Sequence, residues 1–352
     1  MNTPRAHRLS RLFACPVAAL ALLFCAACGT PSDVKTIVVY SPHGRFLEGD
    51  VKQRFEAAHP GWTVQFLDMG GGEIFDRVKA EKNAPRASVW WGGNAGDFKR
   101  AEKLGLLEPY VPAYANALPA HARSQTGGWV ATFVTPEIIL YNPKKIPAAE
   151  RPHDWDDLLD PRWKGRIVVR DARASSTMKT IFGALILREK TRTGNVSAGF
   201  DWLKKLDANT GTYAPNPDGL NELLRDDGPY ALSPWNLADA LESIHVKKLP
   251  FDYIVPPATM LPVEPIALVK GGPSSDGARL FFDFVNSPEQ LILFAQQRDR
   301  IPARTDLPQD QFPEWMRRLA LKPMAIDWDD FDANIEEWMA HWDAEIKGKG
   351  GR

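Results

Sequence analysis

The sequence predicts an α/β fold in which helices alternate with the strands of a parallel sheet. Apolar, β-branched runs at 34–41, 62–67 and 88–91 have the composition of buried strands. Segments with helical spacing of apolar residues separate these runs, and strands that alternate with helices form parallel sheets. The chain has 352 residues, and at about 100–200 residues per domain this length indicates two domains.

Local signals mark where the predicted elements end. The first strand stops at Pro42, and the helix at 46–59 is followed by Pro60. The helix at 97–104 is followed by Gly105, a residue favoured just after a helix. The same signals predict strands within 129–141 and at 166–170, 230–236, 251–255 and 264–269, helices at 74–82, 175–190, 201–207, 278–286, 289–297 and 313–346, a short helix within 153–165, and a loop at 213–219.

Charge and cysteine content exclude several functional classes. The chain has 43 Lys and Arg and 44 Asp and Glu, a net charge of −1. This balance gives no support to nucleic-acid binding, which needs a concentrated basic face. The three cysteines, Cys15, Cys25 and Cys28, all lie within the first 28 residues. Structural disulfides, zinc thiolate sites, iron–sulfur clusters and a cysteine nucleophile are therefore excluded from the folded body.

The N-terminal segment has the features of a secretory signal. Arg5, Arg8 and Arg11 form a positive region ahead of an apolar run at 12–27. That run is shorter than the roughly 20 residues that a membrane-spanning helix needs. We therefore expect residues 1–27 to be a signal peptide that exports the chain.

The end of this segment suggests a lipid anchor. The two alanines before Cys28 resemble a bacterial lipobox, which implies that Cys28 is the lipidated first mature residue and that 28–33 is a tether. Lipidation would anchor the protein to a membrane rather than span it. Cys25 occupies a position where Leu or Val is usual, so an ordinary cleaved signal and a soluble exported protein are the alternative.

The loops after the first three strands are expected to form a ligand crevice. Ser41 and His43 follow the first strand, Gly72 lies in the glycine-rich loop after the second, and Gly92 and Asn94 follow the third. Ligands of parallel α/β sheets bind outside the carboxyl ends of the strands. His43 is either an imidazole that pairs with an anionic ligand or a loop histidine bonded to backbone.

A run of three hydroxyl residues is the candidate anion site. Ser175, Ser176 and Thr177 lie at the predicted start of a helix that follows a strand. Free backbone N–H groups and hydroxyls at such a position bind phosphate, phosphonate or carboxylate. Plain N-capping is the alternative, because Ser and Thr are preferred caps. Three such residues in a row exceed what a cap needs, so we expect contact with an anion.

Several segments of the chain, in their order and spacing, resemble one known family. They resemble the type-2 periplasmic solute-binding proteins of bacterial ABC importers, in the extracellular solute-binding group that includes the ferric-ion-binding proteins. The resemblance covers nearly the whole mature chain. The segments are 37–41, 87–93, 105–110, 141–143, 155–165, 265–273, 278–287 and 301–304.

The resemblance implies an architecture and a mode of action. It implies two α/β lobes joined by hinge strands, with lobe 1 formed by 34–133 plus 266–352 and lobe 2 by 134–265. Such proteins do no chemistry. They close on a solute and deliver it to a permease in the inner membrane, which we expect this chain to do as a monomer without a cofactor.

The residues argue against the iron that some members of this family bind. Iron-binding members have a paired tyrosine near the position of residues 233–236, and this chain has none there. They also tend to use a carboxylate near Asn94, which is absent. Only His43 lies close to a metal-ligand position of the family, so no metal site is predicted, and free or chelated ferric iron is the alternative cargo.

The predicted function is therefore the capture of a small anionic solute: a phosphate ester, a phosphonate or a carboxylate. Remote alternatives are a surface scaffold and an exported hydrolase that pairs Ser175 or Ser176 with His43. Trp91 and Trp235 are either ligand-stacking or core aromatics, and the family often uses the loop at 213–219 for ligand. The predicted ligand-binding residues are Ser41, His43, Gly72, Trp91, Gly92, Asn94, Thr135, Ser175, Ser176, Thr177, Tyr213, Asn216, Trp235 and Asn236.

Overall fold

The computed structural model describes residues 35–350. The predicted signal peptide at 1–27, the lipidation site Cys28 and the tether at 28–33 lie outside these residues. Within 35–350, none of the helices combines the length and the apolar character that crossing a bilayer requires.

The first of two sheets is mixed and has seven strands. Its order is β12-β5-β11-β3-β1-β2, with β4 added beside β11. β1 is parallel to β2 and β3, whereas β11 is antiparallel to β3, β4 and β5, and β12 is antiparallel to β5. The strands are β1 (Lys35–Ser41), β2 (Trp62–Asp68), β3 (Val89–Trp91), β4 (Leu107–Glu108), β5 (Val130–Val134), β11 (Val263–Val269) and β12 (Ile301–Pro302).

The second sheet is also mixed and has five strands in the order β10-β6-β9-β7-β8. β7 is parallel to β8 and β9, and β6 is antiparallel to β9 and β10. The strands are β6 (Glu137–Tyr141), β7 (Ile167–Arg170), β8 (Thr210–Ala214), β9 (Leu232–Asn236) and β10 (Asp252–Ile254).

Helices cover both sheets. They are α1 (Arg45–Ala58), α2 (Gly71–Ala80), α3 (Ala95–Lys103), α4 (Ser176–Thr193), α5 (Ser197–Asn209), α6 (Pro217–Leu224), α7 (Leu237–Leu241), α8 (Ser275–Val285), α9 (Pro288–Arg298), α10 (Glu314–Arg317) and α11 (Trp328–Glu345). Short 3₁₀ helices lie at Ala115–Ala117, Ala120–Ala122, Trp155–Leu159, Pro161–Trp163 and Gln309–Gln311, and a π-helical turn at Glu242–Val246 follows α7.

The two-lobed α/β architecture is confirmed, but three local predictions are wrong. β1, β2 and β3 are parallel, but each sheet as a whole is mixed, because β11 runs antiparallel to β3 in the first sheet and β6 runs antiparallel to β9 and β10 in the second. The predicted loop at 213–219 contains the end of β8 and the start of α6. The single predicted helix at 313–346 is two helices, α10 and α11.

Each sheet has its own hydrophobic core, and together with its helices it forms one lobe. The first core contains Trp90, Trp91 and Phe133, and the second contains Trp155 and Trp163. The second also contains the buried side chains of α11, whereas the predicted boundaries place all of 266–352 in lobe 1. The reason is a close helix contact, in which Gly183 of α4 leaves room for Phe331 and Ile335.

Two short segments connect the lobes at the hinge. One lies between β5 and β6, and the other precedes β11. They are hydrogen-bonded to each other, because the backbone N–H of Thr135 donates to the Pro262 carbonyl and that of Glu137 donates to the Met260 carbonyl, both at 3.0 Å. The residues that open β6 and β11 are therefore neighbours at the base of the space between the lobes.

Candidate functional site

A cavity of about 220 Å³ lies between the lobes, directly above the hinge. Two further cavities, of about 360 and 550 Å³, adjoin it and share Asn94 and Thr180 with it. Both lobes and the hinge supply the polar lining of the smaller cavity, which consists of His43, Asn94, Thr135, Glu137, Ser176, Thr177, Thr180, Asn236, Asp239, Glu264 and Arg300.

The structure brings six of the predicted ligand-binding residues together in this cavity. They come from both lobes and from the hinge, as a site that closes on a ligand requires. Gly72 lines the adjoining 360 Å³ cavity together with Ser176. The six residues are His43, Asn94, Thr135, Ser176, Thr177 and Asn236.

The N-terminus of α4 opens into the cavity. Ser175 is the N-cap: its buried hydroxyl accepts from the backbone N–H of Met178 at 3.3 Å. Ser176 and Thr177 occupy the first turn, where backbone N–H groups have no partner within the helix. The Thr177 hydroxyl oxygen accepts from the Asn236 side-chain amide at 3.0 Å, which leaves its proton available to another acceptor. The run of hydroxyls thus divides into one cap and two cavity-facing groups.

His43 is held by hydrogen bonds at both ring nitrogens. Its Nδ1 lies 3.1 Å from the Ser41 hydroxyl, and its Nε2 lies 2.9 Å from a carboxylate oxygen of Glu264. The second oxygen of Glu264 accepts from the Thr135 hydroxyl, and Arg300 lies 3.7 Å away. The ring of His43 is therefore bonded to the side chains of Ser41 and Glu264. The sequence had offered only two interpretations of this residue, a contact with an anionic ligand or a hydrogen bond to backbone.

The pKa values of His43 and Glu264 indicate which of the two side chains is charged. Burial lowers the pKa of the His43 imidazole, against the opposing effect of Glu264. Burial alone would raise the pKa of Glu264, but the hydrogen bond from His43 and the charge of Arg300 outweigh it and lower that pKa to about 2. We therefore expect a neutral His43 that donates from Nε2 to an ionised Glu264, with Arg300 as the balancing charge.

Trp91 and Gly92 support His43 rather than line the cavity. Trp91 is fully buried, its indole N–H donates to the Thr132 hydroxyl at 3.2 Å, and its ring lies 4.4 Å from the His43 ring. Gly92 has φ +94°, and a Cβ there would lie 2.5 Å from the ring of His43. Both residues fix the position of the imidazole, and Trp91 is the core aromatic that the alternative interpretation describes.

Three predicted residues of the second lobe lie away from the cavity lining. The Tyr213 hydroxyl donates to Asp207, on the side of the lobe that α11 covers. Asn216 caps α6, where its side chain accepts from the Gly219 backbone N–H at 2.8 Å. Trp235 is 2% exposed and belongs to the lobe core. Tyr213 lies in β8 and Asn216 caps α6, so these elements occupy the predicted loop, whereas Trp235 lies in β9 and packs in the lobe core.

Four charged residues of the lining were not among the predicted site residues. Glu137 is the first residue of β6, Glu264 the second of β11, Asp239 lies in the first turn of α7, and Arg300 immediately precedes β12. The available signal was a carboxylate at the start of an otherwise apolar, buried strand, since a buried charge is costly without a partner. This signal holds for Glu137 and Glu264, but the sequence does not show that the two strands start side by side.

Glu48 is a buried carboxyl group next to the loop that carries His43. Burial, reinforced by the charge of Asp68, raises its pKa from 4.5 to about 7. A carboxyl group with a raised pKa keeps its proton longer in the folded state, so the free energy of unfolding falls as pH rises from 4.5 through 7. Glu48→Gln is therefore expected to increase that free energy by about 2–3 kcal/mol at pH 8 relative to the wild type.

Urea unfolding of both proteins at pH 4 and pH 8 measures this effect. At pH 4 the wild-type carboxyl group is protonated in the folded state and mostly protonated in the unfolded state, so most of the advantage of the glutamine variant should disappear. A difference between the two proteins that is the same at both pH values would contradict the assignment of this titration to Glu48.

The arrangement fits neither a metal centre nor a hydrolase. Within residues 35–350, no group of three or more His, Cys, Asp or Glu side chains is placed to hold a metal ion. His43 is bonded to Ser41 and Glu264, and the Ser175 hydroxyl serves as a helix cap. In the part of the chain that the structure describes, no hydrogen bond joins the Ser176 hydroxyl to His43. The nucleophile–base pair of the hydrolase alternative is therefore not formed.

Comparisons with known proteins agree with the fold and identify the family. The family described as bacterial extracellular solute-binding protein matches residues 94–334. A probable ABC transporter periplasmic-binding protein of Sinorhizobium fredii is 27% identical over 328 residues, which cover 91% of this chain and 89% of the relative. A periplasmic protein of Salmonella typhimurium, whose name proposes 2-aminoethylphosphonate as its ligand, is 26% identical over 351 residues, 95% of this chain and 98% of the relative.

A solved structure with the same fold is iron-bound HitA from Pseudomonas aeruginosa. It has a TM-score of 0.74 at 19% identity and covers 87% of this chain and 98% of its own. The match to the family model spans more than half of the chain, and the curated relatives are covered over most of their length. This chain belongs to the bacterial extracellular solute-binding protein family, and it is the substrate-binding, non-enzymatic component of an ABC transporter.

Proposed function

We propose that this binding protein captures a small anionic solute, a phosphate ester, phosphonate or carboxylate, between its two lobes and delivers it to the permease. It acts as a monomer in the periplasm or at the cell surface, anchored through a lipid on Cys28. The observation that carries the proposal is the N-terminus of α4, which presents the hydroxyls of Ser176 and Thr177 to the interlobe cavity.

The chemistry of this helix start suits an oxyanion. The helix dipole favours negative charge at its N-terminus by roughly 0.3–1 kcal/mol, and by more where the site is partly buried. The backbone N–H groups and two hydroxyls are donors, which match the acceptor oxygens of a phosphate, phosphonate or carboxylate. An anion bound there would contact the second lobe first and then meet the first lobe on closure.

Closure would strengthen binding because both lobes line the cavity. His43 and Asn94 face the site from the first lobe, and Thr177 and Asn236 face it from the second. When the lobes approach each other, water leaves the cavity and the same polar contacts act in a medium of lower dielectric constant. Such ligand-dependent closure is a hinge motion between two rigid bodies.

The names of the relatives point to different cargoes, so the cargo class has to be argued from this chain. A phosphonate supports the anion proposal, whereas iron-bound HitA supports the alternative of ferric iron. Residues 233–236 offer no tyrosine pair, and Trp235 in that segment is buried in the lobe core. We therefore favour the anionic solute and keep ferric citrate in the ligand panel as the competing result.

Alanine at Ser175, Ser176 and Thr177 together is expected to weaken ligand binding at least tenfold, about 1.4 kcal/mol. The ligand would first be found by thermal shift with phosphate esters, phosphonates, dicarboxylates and ferric citrate. A solute at 100 times its dissociation constant adds about 2.7 kcal/mol to the free energy of unfolding. Isothermal titration calorimetry then compares the wild type with the variant.

Two control variants separate binding from helix capping. The double variant Ser176→Ala with Thr177→Ala leaves the Ser175 cap in place. It should still show most of the affinity loss that is expected for the triple variant. Asn216→Ala removes the cap of α6, outside the cavity lining, and should lower stability without weakening binding. Unchanged affinity in the triple variant, or a thermal shift with ferric citrate alone, would contradict the anion site.

A further inference from the structure

Glu137 is a buried carboxyl group that lacks a partner at the base of the interlobe cavity. Only 2% of the residue is exposed, and its Oε2 atom has no hydrogen-bond partner among residues 35–350. The residue nevertheless belongs to the cavity lining. A buried polar atom without a partner is costly, so its presence beside an open cavity points to a group that binds there.

Two more carboxylates face Glu137 from other elements. Asp239 approaches from α7 and Glu264 from β11, and both line the same cavity. Glu264 is already bonded to His43 and Thr135 and lies near Arg300. Asp239 accepts from the side-chain amide of Asn236 at 2.9 Å. Arg300, the cationic side chain of the cavity lining, therefore balances the charge of Glu264. Among the lining residues, none places a positive charge beside Glu137.

The electrostatics of Glu137 show what kind of group would suit this position. Burial, and then the charges of Asp239 and Glu264, raise the pKa of Glu137 well above its ordinary value. Arg170 at the end of β7 faces Asp239 but is stacked over Trp235 and does not line the cavity. A positive charge brought into the cavity by a ligand would offset the charges of Asp239 and Glu264 and thereby favour the ionised form of Glu137.

We propose that the solute carries an alkylammonium group in addition to its acid group, and that Glu137 and Asp239 bind this ammonium while the N-terminus of α4 binds the acid. This inference rests on the anion site proposed above and names the ligand class as a small zwitterion. An ammonium offers three hydrogen-bond donors, which match the free Oε2 of Glu137 and the carboxylate of Asp239. A metal ion does not fit, because these side chains form no metal-binding group.

Matched ligand pairs test the proposal on the intact mature protein. Each pair differs only by the amine: 2-aminoethylphosphonate with ethylphosphonate, phosphoethanolamine with ethyl phosphate, and 3-aminopropionate with propionate. We expect calorimetry to show at least tenfold tighter binding of the amine-bearing member in one pair or more. Glu137→Gln and Asp239→Asn should each abolish this preference. The two variants are made separately, so that one of them can still be measured if the other fails to fold.

The control variant is Asp76→Asn, an exposed carboxylate that lines the adjoining cavity, and it should keep the full preference. If the amine-free members bind as tightly as their partners and the α4 variants weaken both, the ammonium site is wrong and the anion site stands. If no member of any pair binds, the zwitterion proposal is overturned, and the ligand panel with the α4 variants decides the anion site separately. A preference for the amine that survives in both Glu137→Gln and Asp239→Asn also overturns the assignment to these residues.

Discussion

Gly92→Ala is expected to weaken ligand binding at least tenfold and to lower the free energy of unfolding by about 2–5 kcal/mol. The new Cβ would lie 2.5 and 2.8 Å from two atoms of the His43 ring and 2.9 Å from Pro42. Such contacts force the ring to move, and overpacking of this kind costs about 1–3 kcal/mol. The left-handed backbone at φ +94° adds about 1–2 kcal/mol for any residue with a Cβ.

Gly61→Ala is the matched control for this experiment. Gly61 has φ +93°, but a Cβ there would meet no atom within 4 Å. The control therefore carries the same backbone strain without the displacement of His43. We expect thermal unfolding to show a loss of stability in both variants, and calorimetry to show a loss of affinity only in Gly92→Ala. Equal affinities in the two variants would show that the position of His43 does not matter for binding.

Glu264→Ala is expected to lower the free energy of unfolding by about 3 kcal/mol and to disrupt the cavity. Removal of one partner of a buried ion pair typically costs about 3–5 kcal/mol, because the other charge is left without compensation. The Arg300 and Glu264 side chains are 14% and 17% exposed, so the lower end of that range is expected here. In this protein the groups that lose their partner are the Arg300 guanidinium, the ring N–H of His43 and the hydroxyl of Thr135. Glu264→Gln keeps the volume and one acceptor oxygen, so its effect should be smaller.

The pH dependence of stability separates the charge of Glu264 from its shape. Its pKa falls from 4.5 in the unfolded chain to about 2 in the folded protein. A depressed carboxyl pKa contributes stability that is present above pH 4.5 and is lost as pH falls through 2. Urea unfolding between pH 5 and pH 2 should therefore show a steeper decline for the wild type than for Glu264→Gln. Parallel declines in the two proteins would contradict an ionised, stabilising Glu264.

The local sequence was sufficient to predict most of the strands and helices. The runs at 34–41, 62–67 and 88–91 became β1, β2 and β3 because short-range composition and the apolar period determine such elements. The loop prediction at 213–219 failed for a local reason. Pro217 occupies the first turn of α6 behind an Asn216 cap, so residues that usually indicate a loop start a helix there.

The residues that line the interlobe cavity could be predicted where they lie at the ends of their own elements. His43, Asn94, Ser176 and Thr177 are such residues, because the carboxyl ends of strands and the starts of helices face the crevice in this fold class. Trp91 and Trp235 could not be assigned in this way. Composition favours an aromatic both in a core and against a ligand, and only the packing of each lobe shows that both are buried.

The sequence by itself determined the α/β class, the two-lobed family architecture, the cysteine-free body and the hydroxyl-rich start of α4. Only the tertiary structure decided that Glu137 and Glu264 meet at the hinge, 127 positions apart in the numbering, and that α11 packs on the second lobe. The physical reason is that elements are specified by interactions between near neighbours in the chain. The contacts of Glu264 with His43 and Arg300, and of Gly183 with Phe331, instead depend on how distant segments pack.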